Sequence, residues 1–234
     1  MPGRDDWPAG TEHPLASVRI RARVLSRCLD YGPNDNISSC VGEGDLEGVE
    51  AEVETIIARL MDALVVNRKS PHCEKTPARV ARMLVREVLQ GRYEGPPALT
   101  AFPNSRLDEL YVVGPVSVRS CCAHHLVPII GQCWLGVIPN GKVLGLSKFS
   151  RLVQWCAARG QIQEELTMQI ADELDALLDP RGIAVVMRAA HMCCQWRGVK
   201  DANQLMMTSV TRGLFREDAR ARAELMALVE RTAP

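Results

Sequence analysis

The chain has 234 residues, of which 47% are hydrophobic, and it carries 28 basic and 28 acidic side chains. This length predicts one domain, or one domain with an extension, and allows a sizeable core. The balanced charge gives no support to nucleic-acid binding or to a polybasic membrane contact, although a few converging cations could still bind a phosphate. No apolar run approaches the roughly 18 residues of a membrane span. Because residues 1–14 also lack the apolar stretch of a signal peptide, we expect a cytoplasmic location.

The first part of the chain predicts an extension followed by two helices. Residues 1–45 mix proline, glycine and polar residues without sustained periodicity, which favours a partly disordered extension. Apolar residues then recur at helical spacing between positions 46 and 64. A second helix is predicted over 76–91, with its first threonine as N-cap, the next proline in the first turn and a glycine at its end. Arg79 and Arg82 are three residues apart and therefore share one side of this helix.

The second part of the chain predicts a sheet backed by helices. Strand-forming residues dominate four segments, and helical periodicity dominates three others. The predicted strands are 111–118, 129–138, 183–191 and 205–210, and the predicted helices begin near Ser147, Gln161 and Asp218. This order predicts an α+β fold with an antiparallel sheet rather than an alternating parallel fold. We therefore expect an extension (1–45), a helical region (46–105) and an α+β domain (106–234).

Scarce metal-binding residues concentrate in two short clusters of this second part. The chain has nine cysteines and five histidines. In a reducing compartment such cysteines are free thiols, core residues or metal ligands more often than disulfides. Four cysteines form two adjacent pairs, and three histidines lie within three residues of those pairs. The clusters are Cys121-Cys122-Ala123-His124-His125 and His191-Met192-Cys193-Cys194.

These clusters predict a zinc site formed by Cys122, His125 and Cys193. Zinc favours thiolate and imidazole ligands, and a catalytic zinc keeps one coordination position open for water. Cys122 and His125 can face the same way only if a turn separates them, whereas His191 and Cys193, two residues apart on a strand, are expected to share a face. His124 and His191 would then handle protons near neutral pH. The alternative is a set of buried thiols and core histidines without a metal.

Cationic residues and a carboxylate suggest what the site binds. Lys148 and Arg151 follow Ser147, which we expect to be the N-cap of a helix, where free amides favour an anion. Arg197, Arg79 and Arg82 are further candidates for a polyphosphate site, and the alternative is that all of these are solvated helix faces. Gln163 and Glu164 begin the next helix, and a carboxylate and an amide there can read the edge of a guanine base.

The motifs assembled so far resemble those of GTP cyclohydrolase I. The family pattern Ser-x-Cys-Glu-His-His corresponds to Ser120 through His125, and Gly-Leu-Ser-Lys-x-x-Arg corresponds to Gly145 through Arg151. The patterns Gln-x-Gln-Glu-x-Leu-Thr and His-x-Cys-x-x-x-Arg-Gly-Val correspond to Gln161 through Thr167 and His191 through Val199. The segment Lys75 through Ala81 matches the helix motif that precedes them. The resemblance extends from about residue 47 to the C-terminus.

The resemblance implies the tunnelling fold and a homodecamer of two pentamers, with active sites between subunits. It implies a zinc enzyme that opens the imidazole ring of GTP, releases formate and forms 7,8-dihydroneopterin triphosphate. The metal ligands would be Cys122, His125 and Cys193, and the residues of catalysis His124, His191 and Gln163. Glu164 and Gln163 would hold the guanine. The triphosphate would be bound by Ser147, Lys148, Arg151, Arg197, Arg79 and Arg82.

Two departures from the family pattern bear on the substrate. Ala123 stands where the family has glutamate, and the family's Ser-x-Thr-x-Thr stretch is changed in residues 203–208 so that only Thr208 is kept. Two alternatives therefore stay open beside the pterin-forming enzyme. One is a relative that acts on another purine nucleotide or stops after ring opening. The other is a catalytically silent subunit that keeps the fold for assembly.

Overall fold

The computed structural model describes residues 13–27 and 31–232. The chain forms two compact units, Met1–Gly95 and Pro96–Pro234. Among the described residues, no helix combines the length and the apolar character needed to cross a bilayer.

The N-terminal unit is helical. Its helices are α1 (Ala16–Arg27), α2 (Asp45–Ala63), α3 (Thr76–Met83) and α4 (Gln90–Tyr93), with a π-helical turn at Leu84–Val88. In α1, Ala16, Ile20 and Val24 are four residues apart, so they form one apolar stripe that packs with Val49 and Val85. The described part of the predicted extension is therefore packed into this unit, and residues 1–12 and 28–30 of it lie outside the described residues. The boundaries at 45 and 105 stay predictions.

A buried carboxylate fixes the start of α2. Asp45 is 2% exposed and accepts hydrogen bonds from Arg19 Nη2 at 2.7 Å, from Arg23 and from the backbone N–H of Gly42 at 2.8 Å. Burial alone would raise the pKa of Asp45, but the hydrogen bond from Gly42 and the two guanidinium groups lower it below its usual value. This cluster attaches α1 to the first turn of α2.

The predicted caps are wrong at two helices. Helix α3 begins at Thr76, with Lys75 in the cap position and no side-chain cap bond, and Gly91 lies within α4. In the second unit, the N-cap of α5 is Gly145 rather than Ser147. A cap depends on the backbone angles of the residue before the helix, and residue type alone did not identify them.

The C-terminal unit contains a five-stranded sheet in the order β5-β2-β3-β6-β7. Its strands are β2 (Tyr111–Cys122), β3 (Pro128–Ile138), β5 (Gly160–Gln161), β6 (Gly182–His191) and β7 (Met206–Gly213). All neighbours are antiparallel except β5 and β2, which are parallel, and β1 (Ala101–Pro103) pairs with β4 (Lys142–Leu144) separately. The α+β prediction is confirmed, and the purely antiparallel sheet is wrong at β5.

Helices cover both faces of this sheet. Helices α5 (Leu146–Ala157) and α6 (Gln163–Leu178) pack on one face, where they enclose the main core with alternate residues of β6 such as Val185 and Met187. The intervening residues Ala184 and Val186 face the second core, to which α9 (Ala219–Thr232) contributes Leu225 and Val229. Short helices α7 (Met192–Gln195) and α8 (Leu214–Glu217) follow β6 and β7.

Candidate metal centre and active site

A tight turn at the end of β2 brings the first two candidate ligands together. Cys122 is the last residue of the strand, and its carbonyl accepts a hydrogen bond from Leu126 N at 2.8 Å. Leu126 adopts a positive φ of 53°, which reverses the chain toward β3. The Sγ atom of Cys122 consequently lies 4.0 Å from Nδ1 of His125. The sequence argument required a turn between these residues, and the structure contains one.

The third candidate ligand comes from a helical turn rather than from a strand. Strand β6 ends at His191, and Cys193 lies in α7. The prediction that residues 191 and 193 share a strand face is therefore wrong, because the chain changes from extended to helical between them. The helical turn places Cys193 beside Cys122 and His125, and the ligand atoms of these three residues all lie within 4.8 Å of one another.

The three donor atoms fit one metal ion. A zinc–sulfur bond is about 2.3 Å and a zinc–nitrogen bond about 2.0–2.1 Å, so their sum exceeds the 4.0 Å between Cys122 Sγ and His125 Nδ1. Two thiols and one imidazole match the ligand types that zinc prefers, and three protein ligands leave a coordination position open. Among the described residues, this is the one group of three or more such side chains close enough to share an ion.

The Cys193 thiol needs a cation to be charged. Burial raises the pKa of Cys193 to about 11, with further contributions from the Cys194 thiol, whose Sγ is 3.9 Å away, and from Cys122. Metal ligation requires the thiolate, and a divalent cation supplies the charge that stabilises it. Cys121 is buried, as expected for a core thiol, whereas Cys194 is only partly buried.

Arg197 lies against His125, one of the candidate metal ligands. Its Nη1 atom is 2.8 Å from Nε2 of His125, and the arginine is exposed. A guanidinium group only donates hydrogen bonds, so Nε2 of His125 carries the lone pair in this contact. The sequence placed Arg197 in the phosphate site without indicating that it reaches a metal ligand.

His191 is half-buried and pairs with the buried Gln163. Its Nε2 atom is 2.9 Å from Oε1 of Gln163, which is completely buried at the start of α6. Burial lowers the pKa of His191 below its usual value, while the Glu164 carboxylate acts in the opposite direction. The lowered pKa favours the neutral imidazole, and the hydrogen bond commits one of its ring nitrogens to Gln163. His124 is exposed, with Nδ1 3.8 Å from Cys122 Sγ.

The remaining predicted residues lie on helices whose cations face solvent. On α5, Ser147 and Arg151 are exposed, and Lys148 Nζ donates to the carbonyl of Ala98 at 3.1 Å. Arg79 and Arg82 are exposed residues of α3 in the N-terminal unit. The approach of these five residues to the metal ligands stays a prediction.

Two threonines at the site were not assigned a role from the sequence. Thr208 on β7 and Thr167 on α6 form a hydrogen-bonded group with Gln163. The sequence pointed to Thr208 in one respect: it is the residue that is kept in a stretch that otherwise departs from the family pattern. Thr167 was the last residue of its motif.

The fold and the site define an α+β protein whose sheet carries a cysteine–histidine–cysteine centre that could hold a metal ion. The family model for GTP cyclohydrolase I matches residues 53–230. A protein of Nostoc sp. named GTP cyclohydrolase 1 2 is 41% identical over 79% of this chain and 86% of its own length. GTP cyclohydrolase 1 of Mycobacterium avium is 42% identical over 78% of this chain and 90% of its own. This chain therefore belongs to the GTP cyclohydrolase I family of hydrolases.

Among solved structures, the apo form of the archaeosine synthase QueF-Like aligns with a TM-score of 0.35 and 16% identity, covering 51% of this chain and 97% of that one. A likeness this weak does not identify the fold.

Proposed function

We propose that this chain is a zinc-dependent, cytoplasmic GTP cyclohydrolase I. It opens the imidazole ring of the guanine of GTP, releases formate and forms 7,8-dihydroneopterin triphosphate. The observation that carries the proposal is the three-ligand centre of Cys122, His125 and Cys193 in a chain of this family, with a histidine of lowered pKa two residues from one ligand.

Zinc, held by the two thiolates and one imidazole, would lower the pKa of a water molecule to about 7 and so make hydroxide available at neutral pH. The choice of zinc rests on these donor types, because carboxylate-rich sites suit magnesium or calcium instead. His125 has to give up the contact with Arg197, because its neutral ring cannot both accept from Arg197 at Nε2 and offer a lone pair at Nδ1.

His191 would move the proton at N7 of the guanine. Its Nε2 is engaged by Gln163, so the other ring nitrogen, Nδ1, is the one available to a substrate. Gln163 is fully buried and its amide is used inside the protein, which supports a role in holding His191 rather than in reading the base. His124, exposed beside Cys122, would assist proton transfer from the open side.

Glu164 would accept hydrogen bonds from the N–H groups of the guanine ring, since it is exposed and adjacent to Gln163 at the start of α6. The triphosphate would be bound by Arg197 once it leaves His125. Ser147, Lys148 and Arg151 would join it on α5, and Arg79 and Arg82 would complete the site from the same or a neighbouring subunit. We propose a decamer of two pentamers in which the site lies between subunits.

Ala123 favours a second candidate. It lies in the turn between Cys122 and His125, and its backbone N–H donates to the carbonyl of Gln161 at 3.1 Å. A methyl group there removes the carboxylate that the family pattern carries beside the metal ligands. The second candidate is accordingly a relative that acts on another purine nucleotide or stops after ring opening.

The deciding experiment incubates zinc-loaded protein with GTP and measures both released formate and the fluorescent pterin obtained after oxidation. Both signals together support the proposed reaction. Formate without the pterin supports the candidate that stops after ring opening. Neither signal with GTP, while another purine nucleotide releases formate, supports a changed substrate. Absence of turnover with every purine nucleotide contradicts both candidates and favours a silent subunit, and the Cys193→Ala variant is the control for background hydrolysis.

A further inference from the structure

Thr208 contacts the active-site glutamine through its hydroxyl group. Its Oγ1 lies 3.0 Å from Nε2 of Gln163 and 2.7 Å from Oγ1 of Thr167. The residues before it, Met206 and Met207, have no hydroxyl groups, so Thr208 alone supplies one among these three consecutive positions.

The direction of each hydrogen bond in this group follows from the chemistry of the partners. Nε2 of Gln163 also faces the carbonyl oxygens of Met206 at 3.2 Å and Met187 at 3.4 Å. Carbonyls only accept hydrogen bonds, so the amide NH₂ points toward them and toward Thr208, which leaves Oε1 facing His191.

The hydroxyl groups of Thr167 and Thr208 each donate one hydrogen bond to a defined acceptor. Thr167 Oγ1 lies 2.7 Å from the backbone carbonyl of Gln163, and its single hydrogen is used in that bond. Thr208 therefore donates to Thr167 and accepts from Gln163. Thr208 Oγ1 is the nearest of the three acceptors of the amide, and its lone pair is aimed at the amide because its hydrogen is committed elsewhere.

The orientation of the Gln163 amide determines which ring nitrogen of His191 carries the hydrogen. An amide oxygen accepts, so Nε2 of His191 must carry the hydrogen. In the neutral ring the lone pair then resides on Nδ1, the nitrogen that is not engaged by Gln163. A glutamine turned by 180° about its last bond would present NH₂ and would impose the opposite tautomer.

We propose that Thr208 is a positioning residue for this enzyme: with Thr167, and beside the carbonyls of Met187 and Met206, it holds the amide of Gln163 in its orientation, and through it the Nε2–H tautomer of His191. The catalytic consequence rests on the proposed function, whereas the tautomer is a property of the protein alone. Thr208 touches neither the substrate nor the metal ligands in this role.

The test compares Thr208→Val with Thr208→Ser in the full-length, zinc-loaded protein. Valine matches threonine in shape but lacks the hydroxyl, and serine restores the hydroxyl. We expect valine to lower kcat about tenfold, the usual order for one lost hydrogen bond, with KM for GTP changed by less than about twofold. Serine should return kcat to within about twofold of the wild type. Thr211→Val, the same change on the same strand, is the matched control and should leave kcat unchanged.

A spectroscopic readout separates positioning from general damage. Solid-state NMR of protein with ¹⁵N-labelled histidine reports which ring nitrogen is protonated, and the His191 signals are assigned by their loss in His191→Asn. The wild type, Thr208→Ser and Thr211→Val should show Nε2–H, and Thr208→Val should show a substantial Nδ1–H population. An unchanged tautomer and kcat in Thr208→Val would overturn the proposal, as would a serine variant as impaired as valine.

Two further measurements keep the outcomes distinct. If Thr208→Val does not fold, Thr167→Val removes the acceptor of the Thr208 hydrogen and should give the same tautomer shift in a milder form; no shift there overturns the proposal. If the wild type does not convert GTP, the proposed function fails, and the NMR comparison still decides the positioning role.

Discussion

Each unit of this molecule contains a buried polar side chain with several hydrogen-bond partners, and these two side chains, Asp45 and Gln163, are held differently. In the N-terminal unit, the Asp45 carboxylate is held by two arginines and a backbone N–H at the start of α2. In the C-terminal unit, the Gln163 amide is held by carbonyls, a threonine and a histidine. The charged cluster attaches one helix to another, and the neutral cluster orients His191, the proposed catalytic histidine. A buried polar group can therefore serve stability or rate, and variants should separate the two.

The largest effect is expected at the metal centre. Cys193→Ala removes one of three ligands, so we expect bound zinc to fall below about a tenth of an equivalent and turnover to fall at least about a thousandfold. Metal analysis after dialysis and the GTP assay measure the two effects. Cys194→Ala, the neighbouring thiol, should keep its zinc. Full zinc content in Cys193→Ala would refute the ligand assignment.

Gln163→Met tests the neutral cluster. The substitution keeps the volume but removes the acceptor for His191, so we expect kcat to fall about a hundredfold, in the range typical of lost proton-transfer catalysis, with zinc retained. Steady-state kinetics and metal analysis check both. Gln154→Met, an exposed glutamine of α5, is the control. A normal kcat in Gln163→Met would show that the amide does not serve the reaction.

Asp45→Asn tests the charged cluster. Removing the carboxylate leaves Arg19 and Arg23 without their common partner, and since both are partly solvated we expect a loss of about 2 kcal/mol in the free energy of unfolding. Asp62→Asn, which breaks an exposed pair with Arg68, should have a much smaller effect because solvent screens that pair. Urea denaturation followed by circular dichroism measures both. An equal effect of the two variants would show that burial of the pair contributes nothing.

The same variant has a defined dependence on pH. The folded-state pKa of Asp45 is lowered, so its contribution is complete above the unfolded value of about 3.9 and is lost as pH falls through the folded value. The difference in stability between the wild type and Asp45→Asn should therefore be constant from pH 7 to about pH 5 and shrink below pH 4. A difference that grows as the solution is acidified would reverse the assigned sign.

The smallest effect is expected at Arg197. Its contact with Nε2 of His125 has to break when the ring ligates a metal, so the arginine is not needed for metal retention. We expect Arg197→Ala to keep full zinc and to raise KM for GTP about tenfold through loss of a phosphate contact. Metal analysis and steady-state kinetics test this, with Arg216→Ala, an exposed arginine of α8, as control. Loss of zinc in Arg197→Ala would make the arginine part of the metal centre instead.

Periodicity predicted the helices and strands whose residues alternate between core and solvent. Strands β2, β3, β6 and β7 and helices α2, α5, α6 and α9 all overlap their predicted ranges. The two-residue strand β5 was missed, because its parallel pairing with β2 depends on a contact about 40 residues away in sequence. Helix α1 was not predicted as a full helix, because half of its residues are polar or charged and its apolar stripe becomes buried only when it packs against residues such as Val49 of α2.

For the site, residue types selected the three candidate metal ligands, and backbone geometry decides how they meet. The sequence could not show that Cys193 lies in a helical turn. The turn has only four residues, Met192–Gln195, and a segment this short is compatible with either a strand or a helical turn. It also could not show that Arg197 reaches His125, because 72 residues separate them. The relation between Gln163 and Thr208 likewise depends on how α6 crosses the end of β7.

The pairing of Ile129 with His191 across β3 and β6 limits how this chain can change in length. At the start of β3, Pro128 also pairs with Cys121. The first two residues of β3 therefore link the turn after Cys122 to His191. A single inserted residue within β6 would move His191 to the opposite face of the sheet, away from Gln163, unless a bulge absorbed it. A two-residue insertion would keep the face but displace the imidazole by about 6–7 Å along the strand. Descendants of this sequence should therefore gain and lose residues in the loops and not within β3 or β6.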